Sequence, residues 1–196
     1  MIRAYFNQQA DTWDEMVAEK DTAKLQEMAK RLNLKPGFTV LDVGTGTGVF
    51  LPYILAEIGK QGRVIALDLA DEMLIRAKAK DFDGNTDYLC ADVMEIPLVA
   101  ERFDAVICYS SFPHFQDKPK ALAEIHRVLK NGGSLSICHT SSRTEINHIH
   151  RQIPIVSNDI IPDVDRMRLM LLSAGFAEIR VEDGRDSYLA TAIRPG

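Results

Sequence analysis

The chain has 196 residues, 46% of them hydrophobic and 26% charged, with a formal net charge of −5 at pH 7. A length of this order fits one domain that buries roughly 70% of its unfolded surface, so folding needs no disulfide or metal staple. Intrinsic disorder is excluded because apolar residues occur throughout. The acidic balance, without any basic patch, argues against nucleic acid and points to a small-molecule partner.

In chain order, Tyr5, Phe6, Trp13 and Val17, then Leu25, Met28 and Leu32, predict one or two helices lying over the top of a sheet. Five short apolar runs follow: Phe38 to Val43, Arg63 to Leu67, Thr86 to Cys90, Phe103 to Tyr109 and Ser134 to Thr140. They read as strands buried on both faces, the pattern of a parallel sheet. Helical stripes alternate with them. Val49, Phe50, Ile54, Leu55 and Ile58 form one, stopped by Gly59. Met73, Leu74 and Ala77 form the next. Leu122, Ile125 and Leu129 form the third, opened by Pro119 and closed by Asn131-Gly132-Gly133. Such alternation implies right-handed β-α-β crossovers and a doubly wound α/β fold. Val164, Met167, Leu171 and Ala174 predict a last helix ended by Gly175. Phe176 to Glu182 and Ser187 to Ile193, joined through Asp183-Gly184, predict an antiparallel hairpin. The stretch from Ser141 to Pro162 is long for a connection, which suggests a lid or pocket wall.

No stretch of about 18 apolar residues occurs, so no membrane span is expected, and Met1 to Asp14 has no hydrophobic signal core. Cys90, Cys108 and Cys138 are widely separated and each sits in an apolar run. Buried free thiols in a reducing, cytoplasmic setting are expected.

The motif with most chemistry is Val40-Leu41-Asp42-Val43-Gly44-Thr45-Gly46-Thr47-Gly48, a buried strand running into a glycine-rich turn and a helix. Glycines let the backbone turn tightly and approach a ligand without Cβ clashes, and such turns lie at the carboxyl ends of strands, where α/β sheets bind ligands. The second strand ends in Asp68, 20 positions after Gly48, where a carboxylate can accept from both hydroxyls of a ribose. A dinucleotide fingerprint would place its third glycine at position 49. That residue is Val49, which speaks against a nicotinamide-dependent oxidoreductase.

Asp42-Val43-Gly44-Thr45-Gly46-Thr47-Gly48 resembles the first motif of the class I S-adenosylmethionine-dependent methyltransferases, Asp/Glu-x-Gly-x-Gly-x-Gly. The resemblance continues through Ala66 to Leu74, Ala91-Asp92-Val93, Phe103-Asp104-Ala105-Val106 and Glu124 to Gly133, so that order and spacing match from about Phe38 to Leu135. Asn131 stands where the family often has Pro; both suit a turn. The resemblance implies a Rossmann-like methyltransferase fold with a mostly parallel seven-stranded sheet, helices on both faces and the C-terminal antiparallel hairpin. It implies one domain: a helical cap (1–35), a cofactor-binding core (36–140), a lid (141–162), and the last helix with the hairpin (163–196).

S-adenosyl-L-methionine is the implied cofactor. Gly44, Thr45, Gly46 and Gly48 would meet its methionine part, with Asp42 holding the loop. Asp68 would bind the ribose, Leu69 and Met73 would cover the adenine, and Asp92 would accept from the adenine amino group beside Val93. The carbonyls around Cys108 and Tyr109 would meet the ammonium. For Asp92 a helix cap is the alternative reading.

A methyl group on sulfonium is already activated, so transfer rests on alignment and exclusion of water. If the acceptor must lose a proton, His114 in Ser110-Ser111-Phe112-Pro113-His114-Phe115 is the candidate base, a residue type whose ordinary pKa suits the task. His139 and His150 are candidate lining of the acceptor pocket, whereas His126 reads as packing or surface. His114, His139, one of His148 and His150, and Asp159 have metal-ligand chemistry but no compact spacing, so no metal is expected. The Asn/Asp-Pro-Pro-Tyr/Phe and Pro-Cys signatures of nucleic acid methyltransferases are absent, which points to a small-molecule acceptor. A non-catalytic module binding S-adenosylmethionine or a metal is the other alternative.

Overall fold

The computed structural model describes residues 1–16, 18–82 and 85–196; Val17, assigned above to the N-terminal apolar stripe, lies outside them. Three helices come first: α1 (Ile2–Gln9), α2 (Trp13–Met16) and α3 (Thr22–Arg31). The alternating core follows as β1 (Thr39–Val43), α4 (Leu51–Ile58), β2 (Arg63–Asp68), α5 (Asp71–Ala79), β3 (Thr86–Cys90), β4 (Phe103–Tyr109), α6 (Lys118–Val128) and β5 (Leu129–His139). The chain ends in α7 (Arg143–Gln152), α8 (Val164–Ser173), β6 (Ala177–Asp183) and β7 (Tyr188–Ile193).

The strands form one seven-stranded sheet in the order β3-β2-β1-β4-β5-β7-β6. Neighbours from β3 to β5 run parallel, and β7 runs antiparallel to both β5 and β6. The direction of winding reverses between β1 and β4, which opens a crevice at their carboxyl ends. Side chains alternate across β1 and β4. Leu41, Val43, Val106 and Cys108 join the core under α6 and α8, while Val40, Ala105 and Ile107 join the core under α3 and α4.

Local chemistry explains the helix boundaries. Asp21, Asp117, Ser142 and Asp163 cap α3, α6, α7 and α8 by accepting from backbone amides of the first turn. Gly59 ends α4 at φ +65° and Gly175 follows α8 at φ +91°, conformations that side chains with a Cβ adopt at a cost.

Four expectations are corrected. β3 is an edge strand with one hydrogen-bonded neighbour, so it is half-exposed and Cys90 with it, whereas Cys108 and Cys138 are buried free thiols as expected. The apolar stripe of α6 stops at Val128: Leu129 is already extended and pairs with Phe103. Asn131-Gly132-Gly133 therefore lies inside β5, at an irregularity where Gly132 takes φ +76° and donates its amide to the Arg194 carbonyl. Finally, α3 packs with α4 against the sheet face, and only α1 and α2 lie over the crevice.

Ile54 on α4 is fully buried among α3 and β1 residues, so truncating it leaves a cavity that neighbouring helices fill only in part. Ile54→Ala should cost about 2–5 kcal/mol of unfolding free energy, read as a lowered denaturation midpoint at unchanged slope.

Candidate active site

The glycine turn after β1 is held from two sides. From β2, the Leu67 carbonyl accepts from the amides of Gly44 (2.7 Å) and Thr45 (3.0 Å), and the Asp68 carboxylate accepts from the amide of Gly46 at 2.8 Å. From the loop after β4, the Ser111 hydroxyl donates to the Val43 carbonyl at 2.6 Å. A Cβ on Gly44 would lie 2.3 Å from the Ser111 Cβ, so at φ +70° only glycine fits between the two loops. Gly48, at φ +80°, is likewise required, because a Cβ there would strike the Phe82 ring at 2.7 Å. Ser110, at the end of β4, holds φ +53°, a strained conformation at the mouth of the crevice.

Two cavities meet at this turn. The first is walled by Asp68, Leu69, Met73, Asp92 and Val93 together with Phe6 and Phe115. The second is walled by Thr45, Thr47, Phe50, Tyr109, His139, Thr140, Ile146 and His150. Trp13, Gly44, Gly46, Ser110 and His114 border both. Asp68 and Asp92 put carboxylates on the first cavity, and among the described residues that line either cavity there is no lysine or arginine.

Most residues singled out from the sequence line these cavities. Asp42 instead lies buried beneath the turn, and burial pushes its carboxyl up to about 7. Burial also raises Asp68, while the amides of Ala70 and Gly46 pull it back. Asp92 both lines the first cavity and caps the short helical turn after β3, accepting from the Met94 amide at 2.9 Å. The Cys108 side chain faces the core under α6 and α8. Tyr109 stacks on Phe50 (centroids 4.4 Å apart, 14° between planes) and shares a 3.0 Å hydrogen bond with Thr140; burial pushes its hydroxyl up to about 12.

The histidines divide. His114, His139 and His150 border the second cavity. His126 packs against Phe176 with centroids 5.1 Å apart, and His148 turns outward to the Gln152 side chain. That divergence on α7 follows from helical geometry, in which positions two apart face different ways. Among the described residues no three His, Cys, Asp or Glu side chains converge to hold a metal ion.

Several residues of the site carried no sequence signal. Asp159 was noted only for its ligand chemistry, yet its carboxylate meets His114 Nδ1 at 2.9 Å and its carbonyl accepts from His150 Nδ1. Asn147, buried on α7, pairs with both the amide (2.8 Å) and the carbonyl (3.0 Å) of Ile161, which holds the 153–162 segment as a fixed wall. Trp13 was named only as part of an apolar helical stripe, and Ser111 only as a neighbour of His114 in sequence. Asp159, Asn147 and Ser111 act through partners remote in sequence.

Residues 41–137 match the family model described as a methyltransferase domain. The chain belongs to the class I S-adenosylmethionine-dependent methyltransferases. Within this family, the ubiquinone/menaquinone biosynthesis C-methyltransferase of Klebsiella pneumoniae is 31% identical over 167 residues, which are 82% of this chain and 61% of that one. A SAM-dependent methyltransferase from Aquifex aeolicus superposes with a TM-score of 0.77 at 26% identity, covering 96% of this chain and 98% of that one. Phosphoethanolamine N-methyltransferase 2 of Haemonchus contortus, in complex with S-adenosyl-L-methionine, shares the fold at 18% identity (TM-score 0.76; 97% and 56% covered). The chain spans 53% to 67% of the length of the first curated relatives it matches.

The crevice fits the family's cofactor. A Cβ on Gly46 would meet nothing closer than Trp13 Nε1 at 3.9 Å, so bare backbone faces the cavity there. Asp42 Oδ2 and Thr45 Oγ1 are buried polar atoms without a hydrogen-bond partner among the described residues. Carboxylates without opposing cations suit a ligand bearing sulfonium and ammonium groups, and they repel a pyrophosphate.

Burial, with His114 and His150 nearby, pushes the His139 imidazole down from 6.5 to about 3. The unfolded chain therefore binds the extra proton in that window, and stability falls as pH is lowered through it. Between pH 7 and pH 5 the parent chain should lose up to about 2 kcal/mol more unfolding free energy than His139→Phe, measured by denaturant titration at each pH.

Proposed function

We propose that the chain binds S-adenosyl-L-methionine in the first cavity and transfers its methyl group to a small-molecule acceptor in the second. The observation that carries this reading is the shared wall. The Asp68 and Asp92 carboxylates border one cavity, the His139 and His150 imidazoles with Glu19 border the other, and the two meet at Trp13, Gly44, Gly46, Ser110 and His114. When bound, the cofactor supplies an electrophilic methyl on sulfonium.

The chain's residues then bind, orient and exclude water. Asp68, already oriented by the Gly46 and Ala70 amides at 2.8 Å each, takes the ribose hydroxyls on its remaining lone pairs. Leu69 and Met73 cover the adenine, and Asp92 accepts its amino group beside Val93. Gly44, Thr45 and Gly46 present backbone to the methionine part, with Asp42 beneath them, Gly48 packed on Phe82 behind them, and the Cys108 and Tyr109 carbonyls toward the ammonium. Trp13 and Phe6 close the site against solvent. In-line displacement forms the bond from acceptor to methyl carbon as the carbon–sulfur bond breaks, leaving a thioether. The proton released by the acceptor passes to His114. Alignment of this kind supplies roughly 7–11 kcal/mol of the barrier reduction.

The relatives named for ubiquinone and menaquinone biosynthesis make compounds of that chemistry the first acceptors to assay. A cytoplasmic enzyme acting without nucleic acid is part of the same reading, supported by the free cysteines and by cavities whose described lining carries no lysine or arginine; among the described residues no helix is long and apolar enough to cross a membrane. A nicotinamide enzyme is disfavoured by Val49 and by carboxylates where a pyrophosphate would lie.

Calorimetric titration should show S-adenosylhomocysteine binding and no NADH binding, and Asp68→Ala should weaken the former by about tenfold or more, the loss of one or more hydrogen bonds to a charged group. An unchanged affinity in that variant, or a preference for NADH, overturns the reading. With an acceptor in hand, His114→Ala should keep S-adenosylhomocysteine affinity within a few-fold while turnover falls about 10²–10⁴-fold. Unaltered turnover removes His114 from the reaction.

A further inference from the structure

The second cavity contains an arrangement of groups that the family's motifs do not supply. Asp159 stands 45 residues after His114 and touches two of its three imidazoles by different atoms. Its carboxylate Oδ2 is 2.9 Å from His114 Nδ1. Its backbone carbonyl meets His150 Nδ1, and a carbonyl can only accept. Nδ1 of His150 must therefore carry the proton. Burial pushes the His150 imidazole down, which keeps the ring neutral and leaves Nε2 as an unprotonated acceptor. The Asp159 carboxylate faces the same nitrogen of His114, which favours the same tautomer there. The two rings lie 4.8 Å apart, and Phe6 abuts the other side of His114 at 5.0 Å, so ring rotation is restricted. Asp159 is itself fixed, by its amide to the Val156 carbonyl at 2.9 Å and by the Asn147 clamp on Ile161.

We infer that Asp159 is the positioning residue of the acceptor pocket, holding His114 and His150 in the Nδ1–H form so that the pocket offers two hydrogen-bond-accepting Nε2 atoms to an uncharged, proton-donating acceptor. The charge around the cavity points the same way. Glu19 and no lysine or arginine borders it among the described residues, so an anionic acceptor finds no counter-charge, whereas a hydroxyl finds two hydrogen-bond acceptors. His139, 3% exposed and with an Nε2 that has no hydrogen-bond partner among the described residues, adds a third neutral imidazole to the same wall. An acceptor hydroxyl hydrogen-bonded to His114 Nε2 is poised to transfer its proton there as the methyl group arrives. Nothing else has to leave, so atoms and charge balance. The substrate class rests on the proposed methyl transfer; the tautomers do not.

The test is nitrogen NMR of histidine-labelled full-length chain saturated with S-adenosylhomocysteine. Near pH 8, His114 and His150 should each show a protonated Nδ1 and an unprotonated Nε2, the minor tautomer of free histidine. In Asp159→Ala the His114 signals should move to the Nε2–H form. Those of His150, which relies on a main-chain carbonyl, should stay, and S-adenosylhomocysteine affinity should change less than about threefold. Adding 4-methylphenol to the parent complex should shift both Nε2 signals at concentrations at least about tenfold below those at which 4-methylanisole, lacking the proton, has any effect. A doubly protonated or Nε2–H His114 in the parent chain overturns the positioning role even if Asp159→Ala fails to fold. Equal or tighter response to the anisole overturns the acceptor class. Failure of S-adenosylhomocysteine to bind at all falls on the family-based reading of the first cavity and leaves the tautomer result standing.

Discussion

The close approach of the loops after β1 and β4 is the constraint on which the site depends. Ser111 reaches the Val43 carbonyl only because Gly44 has no Cβ at the point of contact. Asp68 reaches the Gly46 amide only because the turn is drawn toward β2 by the Leu67 carbonyl. These contacts place a carboxylate, bare backbone and the His114 segment around one crevice. The parallel register of β1 with both β2 and β4 makes the placement rigid, since all three strands end at the same level. A substitution at Gly44 therefore disturbs the junction of both cavities together.

Electrostatics divides the crevice into two chemical regions. Burial and acidic walls favour a cationic ligand on the side of Asp68 and Asp92, where positive charge finds carboxylates within a low-dielectric cleft. On the side of α7, imidazoles and hydroxyls line the wall, with the Glu19 carboxylate at its border. The two regions share a wall made of Trp13, Gly44, Gly46, Ser110 and His114.

What was legible in the sequence was what local pattern encodes. Continuous apolar runs located the strands, glycines at 44, 46 and 48 marked the turn, and the Asp183-Gly184 pair marked the hairpin. Edge position is not local, which is why Thr86 to Cys90 read as buried: its composition matches its neighbours, but among the described residues no strand lies beyond it. The end of α6 misled for a related reason. Leu129 continues a helical stripe, yet pairing with Phe103, and the Arg194 guanidinium donating to its carbonyl, draw it into the sheet. Contacts such as Asp159 with His114, or Asn147 with Ile161, join elements that approach only after folding, so single residues gave no sign of them.

The cover formed by α1 and α2 is held differently from the rest of the molecule. Neither helix contains a fully buried residue. They are pinned to the rim by Arg3 and Asn7 on Asp71, by Asp11 on Arg76, and by Asp14 on Lys80 and Thr47. Exposed pairs of this kind are screened by mobile ions, with a Debye length of about 8 Å at physiological ionic strength. Raising electrolyte therefore weakens the polar attachment of the cover and leaves the packing of Phe6, Ala10 and Trp13 on Ala70 and Met73 to hold it down.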